Sequence, residues 1–215
     1  MVASLASSGE PALLVNPKEE RSSCGVGAVM DLGGVKRHSI VENGMEVLSN
    51  MIHRGAIGIE KDAGDGAGIM LQTPHEFYRE VVPIEIPEQY GTGMVFFPQD
   101  GAEIINLKNV IEEKLAEQGL EVIYWRGVPT DNQILPQTVR DLEPAIFQPF
   151  IIGKGHTDEE FDVGLYVGRR MIEKEVQKSK IRGKENFWIC SLDRKIVVYK
   201  GMLRGNRQWI YLSYV

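Results

Sequence analysis

Cys24 is the residue of this 215-residue chain that is best suited to nucleophilic chemistry, because a thiolate attacks carbonyl carbons readily. Such a thiol needs a neighbouring base, and an N-terminal cysteine supplies one itself, since a free α-amine has a pKa near ~8. Residues 1–23 precede Cys24 here, so a catalytic Cys24 requires cleavage after Ser23. In that interpretation residues 1–23 are a leader or propeptide. The alternative is that Cys24 is a small buried apolar residue behind a disordered tail.

Arg54, in the sequence His53-Arg54-Gly55, is the second candidate. A guanidinium presents a rigid fork that binds a carboxylate through two hydrogen bonds. At the end of a predicted helix and before a glycine, Arg54 would point into a cleft and hold an acidic substrate. The alternatives are an arginine that caps the helix C-terminus and a packed His53.

Asp65 and Gly66 lie in the third stretch, the glycine-rich residues 64–68. This stretch lacks the spacing of a phosphate-binding loop and leads into a strand, which disfavours a nucleotide site. We expect Asp65 to orient backbone amides in a tight turn, and Gly66 to shape the loop with it.

Mixed strands and helices are predicted to position these residues. Apolar residues at helical spacing indicate helices, short apolar runs bounded by turn residues indicate strands, and Ser39 is the predicted N-cap of the first helix. The absence of a regular strand–helix–strand alternation favours an α+β fold. The predicted strands are 24–30, 69–71, 93–97, 120–126, 145–152, and a hairpin of 187–192 with 195–199; the predicted helices are 39–53, 74–82, 104–115 and 161–178.

Composition excludes several classes of function. The net charge of -6 and the lack of a basic block argue against nucleic acid as a partner. The two distant cysteines form neither a disulfide framework nor a metal site, so no metal is expected. No apolar run approaches the ~20 residues that cross a bilayer, so no membrane association is expected.

The candidate stretches, in their order and spacing, resemble the class II glutamine amidotransferase domain of the glutamate synthase large subunit. The resemblance covers residues 24 to about 203. Its motifs are Cys24–Gly27, Met51–Ala56, Gly64–Ile69, Thr73–Tyr78, Gly93–Pro98, Trp125–Asp131, Phe187–Leu192 and Val198–Gly201.

The resemblance implies a four-layer αββα N-terminal nucleophile (Ntn) hydrolase fold and removal of the leader to expose Cys24. It implies that Cys24 attacks the side-chain amide of L-glutamine, that Arg54 binds its carboxylate, and that ammonia passes to a synthase region for reductive amination of 2-oxoglutarate. That region would carry FMN and an iron–sulfur cluster, neither within this chain, and would take electrons from an NAD(P)H subunit or from ferredoxin. The expected compartment is the cytoplasm, or the plastid in a eukaryote.

The chain departs from the family pattern after residue 202. The family's Arg-Phe-Ser-Thr-Asn stretch and its Gly-His-Asn-Gly-Glu stretch, which supplies the oxyanion hole, do not occur. Residues 203–209 instead resemble the residues that follow the second stretch in the family. The predicted organisation is therefore a leader (1–23), the N-terminal part of the amidotransferase domain (24–202), and a divergent tail or deletion junction (203–215). The alternative function is a truncated, non-catalytic remnant or a splice or gene-model fragment.

Overall fold

The computed structural model describes residues 24–54 and 63–203. The predicted leader, the glycine that follows Arg54 and the tail from residue 204 onward lie outside the described residues. The helices are α1 (His38–Asn50), α2 (His75–Val81), α3 (Gly101–Ala116), α4 (Gln137–Arg140) and α5 (Asp158–Lys178), and the strands are β1 (Ala63–Gln72), β2 (Gly91–Phe97), β3 (Leu120–Gly127), β4 (Ala145–Gly153), β5 (Trp188–Asp193) and β6 (Ile196–Leu203).

The described strands form two antiparallel sheets. The large sheet has the strand order β3-β4-β2-β5, and the small sheet pairs β1 with β6. Every described pair of neighbouring strands is antiparallel. The segments β2-α3-β3 and β4-α5-β5 each join two strands of the large sheet that run parallel with one other strand between them. The α+β class predicted from the sequence is therefore confirmed.

The main core lies between the large sheet and the helices α3 and α5. Leu107, Ile111 and Leu115 recur at helical spacing on α3, and each is at most 1% exposed. Asp100 is the N-cap of this helix, and its Oδ1 accepts a hydrogen bond from the backbone N–H of Ala102 at 2.9 Å. The same core also contains Val95, Phe97, Leu120, Ile151, Phe161, Leu165, Ile172, Val176, Ile189 and Leu192.

Helix α5 is the longest described helix, with 21 residues, and it begins with a capping box. The Thr157 hydroxyl accepts from the backbone N–H of Glu160, and the Glu160 carboxylate accepts from the backbone N–H of Thr157. The helix buries one face and exposes the opposite face, in agreement with the helical periodicity predicted for residues 161–178. Within the described part of the chain, no helix is long and apolar enough to cross a membrane.

A second, smaller core joins the two sheets. Met94 and Phe96 of β2 pack there against Val197 and Tyr199 of β6. Both β6 residues are fully buried. The small sheet is therefore held on the large sheet by apolar contacts of alternate residues, the usual geometry of stacked sheets.

The predicted hairpin of β5 and β6 is wrong, although both strands exist. β5 pairs with β2 and β6 pairs with β1, so the chain passes from one sheet to the other between them. The Asp193 carboxylate shapes this crossing by accepting from the backbone N–H of Lys195 at 2.6 Å and of Ile196 at 3.1 Å. A short link between two consecutive strands favours a hairpin only when neither strand pairs with a strand from elsewhere in the chain. Here β5 pairs with β2 and β6 pairs with β1.

The predicted start of the first helix is also wrong. Arg37, not Ser39, occupies the N-cap of α1, and no side chain caps that end. The helix ends at Asn50, and a 3₁₀ turn (Ile52–Arg54) follows. The helix and its position along the chain agree with the sequence; the cap does not.

Arg194 ties the crossing between β5 and β6 to the first turns of α5. Its guanidinium donates to the carboxylates of Asp162 at 2.6 Å and Asp158 at 2.8 Å. The Arg194 side chain is only 8% exposed. These charge-assisted hydrogen bonds lower the pKa of both carboxyl groups.

Acidification should weaken the fold through this pair of aspartates. Their folded pKa values lie below the unfolded value near ~3.9, so their contribution is complete above that pH and is lost as the pH falls through the folded values. Urea unfolding at a series of pH values from about 2 to 7 measures this loss. An Arg194→Met variant should show a shallower fall below about pH 4. Equal slopes in both proteins would exclude Arg194 as the cause.

Candidate active site

Cys24 has a free and exposed thiol at the start of the described chain. The prediction that it opens a strand is wrong, since residues 24–30 have no regular secondary structure. The glycines Gly25 and Gly27 weaken strand formation, and among the described strands β1 pairs only with β6. Solvent therefore reaches the thiol, contrary to the alternative of a buried apolar residue.

The segment that carries Cys24 packs along α1. A turn at Asp31 reverses the chain: the Asp31 carboxylate accepts from the backbone N–H of Gly33 at 2.8 Å, and Gly34 adopts a positive φ of 72°. The segment then lies against the last two turns of α1, where a Cβ on Gly27 would overlap Cγ1 of Val47. From the turn back to Cys24, the segment thus follows α1 toward the C-terminal end of the helix. Ile52–Arg54 continues from that end.

Arg54 lies in the 3₁₀ turn that follows α1. Its side chain lies outside the described part of the structure, so carboxylate binding by Arg54 stays a prediction. His53 is exposed, and its Nδ1 lies 3.0 Å from the carbonyl oxygen of Asn50. Because a carbonyl only accepts, Nδ1 carries the hydrogen in this bond. His53 therefore serves the end of the helix and is not a packed core residue.

Asp65 and Gly66 lie in β1, not in the free loop predicted from the glycines. Ala63 pairs with Leu203 and Ala67 with Gly201, so four steps along β1 oppose two along β6, as in a bulge. Gly66 has a φ of 122°, which disfavours a side chain. The Asp65 side chain lies outside the described part, and its role stays a prediction.

Helix α1 connects these segments. A Cβ on Gly44 of α1 would lie 3.1 Å from Cδ1 of Ile69 in β1. Ile69 follows Asp65 by four residues in the same strand. The Cys24 segment packs on the same helix, and Arg54 follows its end. All three sequence candidates are therefore carried by α1 and its immediate neighbours.

Comparison with known proteins identifies the family. The sequence model of the family described as "Glutamine amidotransferases class-II" matches residues 24–213. That match covers more than half of the chain and begins at Cys24. The chain belongs to the class II glutamine amidotransferases.

Individual relatives are glutamate synthases. The chain is 35% identical over 193 residues to ferredoxin-dependent glutamate synthase 1, chloroplastic/mitochondrial, of Arabidopsis thaliana, covering 86% of this chain and 12% of that protein. It is 36% identical over 196 residues to the glutamate synthase [NADPH] large chain of Azospirillum brasilense, covering 87% and 12%. It is 38% identical over 201 residues to glutamate synthase [NADH] of Schizosaccharomyces pombe, covering 88% and 9%. The chain thus spans about a tenth of the length of the curated relatives that it matches.

The amidotransferase domain exposes large apolar side chains in the Cys24 segment and on β1. Val26, Met30 and Leu32 in the segment and Met70 on β1 are 64–97% exposed. Scattered apolar residues are normal on surfaces, but the three in the segment lie within one short stretch of the chain.

The sequence analysis missed a group of buried polar residues in this domain. Arg126 and Gln148 sit opposite each other on β3 and β4 and are 5% and 0% exposed. The signal was available for Gln148, since it interrupts an otherwise apolar strand of the sequence. A long polar side chain at a buried strand position requires internal hydrogen bonds.

Proposed function

We propose that this chain is the N-terminal part of a glutamine-hydrolysing domain of the glutamate synthase type, with Cys24 as the nucleophile. The observation that carries the proposal is that the family match begins at the residue whose thiol is free and exposed. The names of the relatives support L-glutamine as the substrate, since each is a glutamate synthase.

The proposed reaction begins with removal of residues 1–23, which converts the peptide nitrogen of Cys24 into a free α-amine. That amine takes the proton from Sγ, and the sulfur attacks the side-chain carbonyl carbon of glutamine. The tetrahedral intermediate collapses as the amine returns the proton to the leaving nitrogen, which departs as ammonia. Water then attacks the γ-glutamyl thioester, and glutamate and the free thiol are released.

Arg54 is proposed to bind the substrate carboxylate and so to hold the amide carbon near Sγ. Support comes from the position of Arg54 in the turn after α1, beyond the helix end against which Gly27 of the Cys24 segment packs. Asp65 and Gly66 are proposed to shape the neighbouring wall through the bulge in β1.

The fold proposed for the complete domain is the four-layer αββα arrangement of Ntn hydrolases, of which this chain contains an incomplete version. Two sheets packed on each other, with α3 and α5 covering the large sheet, support it. The exposed apolar residues in the Cys24 segment and on β1, together with the two-stranded small sheet, support the incompleteness. The proposed boundaries are 1–23, 24–202 and 203–215.

The alternative function is a truncated, non-catalytic remnant. The Gly-His-Asn-Gly-Glu stretch that supplies the oxyanion hole in the family is absent from this sequence. Loss of one oxyanion donor alone costs about 3 kcal/mol of transition-state stabilisation, or about 10²-fold in rate. We therefore propose that this chain by itself is a weak or inactive glutaminase.

The partners proposed for the longer protein are a synthase region, which consumes the ammonia in reductive amination of 2-oxoglutarate, and an electron donor that is an NAD(P)H subunit or ferredoxin. FMN and an iron–sulfur cluster are proposed for that synthase region and not for this chain. Cytoplasm or plastid is the proposed location.

An Arg54→Lys variant tests the substrate assignment. The chain is prepared from Cys24 onward and treated with a diazoketone analogue of glutamine or with iodoacetamide, which has no carboxylate. Loss of the bidentate fork should slow labelling of Cys24 by the analogue about tenfold or more and leave iodoacetamide labelling unchanged. Arg37→Lys, at an exposed position beyond the other end of α1, is the matched control. If both variants react with the analogue like the parent chain, Arg54 does not bind the carboxylate.

A further inference from the structure

Four buried polar side chains form one hydrogen-bonded cluster, which we name the tyrosine clamp: Tyr78, Arg126, Gln148 and Tyr199. Tyr78, Gln148 and Tyr199 are fully buried, and Arg126 is 5% exposed. The two phenol oxygens lie 2.8 Å apart, and the Gln148 amide nitrogen lies 2.9 Å from that of Tyr78 and 3.1 Å from that of Tyr199.

Arg126 determines how the clamp is oriented. Its Nη1 donates to Oε1 of Gln148 at 2.6 Å. A guanidinium has only donors, so the amide oxygen must face it and the amide nitrogen must face the tyrosines. The two amide hydrogens of Gln148 then reach one phenol oxygen each. Burial raises the pKa of Tyr78 and of Tyr199, so both phenols stay neutral and hydrogen-bonded at physiological pH.

The clamp joins elements that are otherwise held by apolar packing and by a hydrogen bond from the backbone N–H of Val198 on β6 to Oγ of Ser191 on β5 at 3.2 Å. Gln148 and Arg126 are register partners on β4 and β3 of the large sheet. Tyr199 belongs to β6 of the small sheet, and Tyr78 belongs to α2. The Tyr78 hydroxyl therefore links α2, and the Tyr199 hydroxyl links β6, to the same Gln148 amide on the large sheet by hydrogen bonds.

The small sheet needs such an attachment. An isolated two-stranded sheet is marginally stable in water, and this one also exposes Met70 on β1. Apolar contacts of Val197 and Tyr199 with β2 hold it but do not single out one position, whereas hydrogen bonds between fixed donors and acceptors do. The clamp adds two buried hydrogen bonds at the Tyr199 hydroxyl to the bond between Val198 and Ser191.

We propose that the tyrosine clamp, more than the hydrogen bond between Val198 and Ser191, fixes the small sheet in one position on the large sheet. Cutting it releases β1 and β6 as a unit while the large sheet, α3 and α5 keep their structure. Because Tyr199 pairs in register with Ile69, the clamp also sets where β1 and its Gly66 bulge lie. The proposal concerns the fold and does not depend on the proposed function.

Hydrogen–deuterium exchange of a Tyr199→Phe variant tests the clamp. The substitution keeps the ring and removes one phenol oxygen, which leaves an amide hydrogen of Gln148 without its partner. We expect exchange of β1 and β6 peptides to rise about tenfold or more, with peptides of β2, α3 and α5 unchanged. Ile172→Val, in the core under α5, is the control and should not raise exchange of β1 and β6 preferentially.

The double variant Tyr78→Phe/Tyr199→Phe examines whether the cluster acts as one unit. If it does, the double substitution should raise exchange of β1 and β6 little beyond the larger of the two single effects. Uniform acceleration in all elements, no acceleration in β6, or additive effects of the two single substitutions would each overturn the clamp.

Discussion

Replacing Phe97 with alanine is expected to lower the free energy of unfolding by about 3–5 kcal/mol, the usual cost of removing a buried aromatic side chain. Phe97 is fully buried at the end of β2. Its ring packs edge-on against those of Trp125, Phe147 and Phe187, with centroids 5.5–5.9 Å apart. Truncation would lose all three contacts and leave a cavity between β2, β3 and β4 that rigid neighbouring strands cannot close.

Urea unfolding followed by tryptophan fluorescence measures this loss, because Trp125 contacts the substituted side chain. Tyr166→Ala is the matched control: this aromatic residue lies on α5 but is 67% exposed, so its loss should change stability by no more than about 0.5 kcal/mol. A loss below about 1 kcal/mol for Phe97→Ala would show that this region of the core is poorly packed.

Replacing Cys24 with serine is expected to abolish covalent labelling by the diazoketone analogue of glutamine, from about one label per chain to none, since a serine hydroxyl is a far weaker nucleophile without an added base. The measurement is intact mass after treatment of the chain that begins at residue 24. Labelling reports on the nucleophile even where turnover is slow. It therefore remains informative for a chain that lacks the family's oxyanion stretch.

Cys190→Ser provides the control for that experiment. Cys190 is half-buried on β5, its Sγ lies 3.7 Å from the carbonyl oxygen of Val198, and burial raises its pKa. A less ionised and less accessible thiol should react slowly, so this variant should be labelled like the parent chain. Labelling that persists in Cys24→Ser and disappears in Cys190→Ser would identify Cys190 as the reactive thiol and contradict the proposal.

Local patterns in the sequence predicted most of the elements. The helix α3 follows from Leu107, Ile111 and Leu115, because one face of a helix can be recognised from residues three or four apart. Pairing between β5 and β6 was predicted wrongly for the opposite reason. Which strand fills an edge depends on residues more than a hundred positions away, such as Ile69 opposite Tyr199.

The candidate site was predictable in its residues and not in its geometry. Cys24 was chosen for its chemistry, and the family match begins there. The strand expected around it does not form, since Gly27 lies against Val47 of α1. The tight turn expected at Asp65 is instead part of a strand, because a bulge and a loop use the same glycine-rich sequences. The buried Gln148 was missed because its partners come from three distant elements.

The N-terminus of the purified protein tests the central claim most directly, since only an unblocked Cys24 has a base of its own. The chain is expressed from Met1, and its intact mass and N-terminal sequence are determined. The proposal predicts that residues 1–23 are removed and that the mature chain begins with Cys24 and a free amine. A protein that retains the peptide bond between Ser23 and Cys24 would contradict it, because that thiol would have no α-amine to accept its proton.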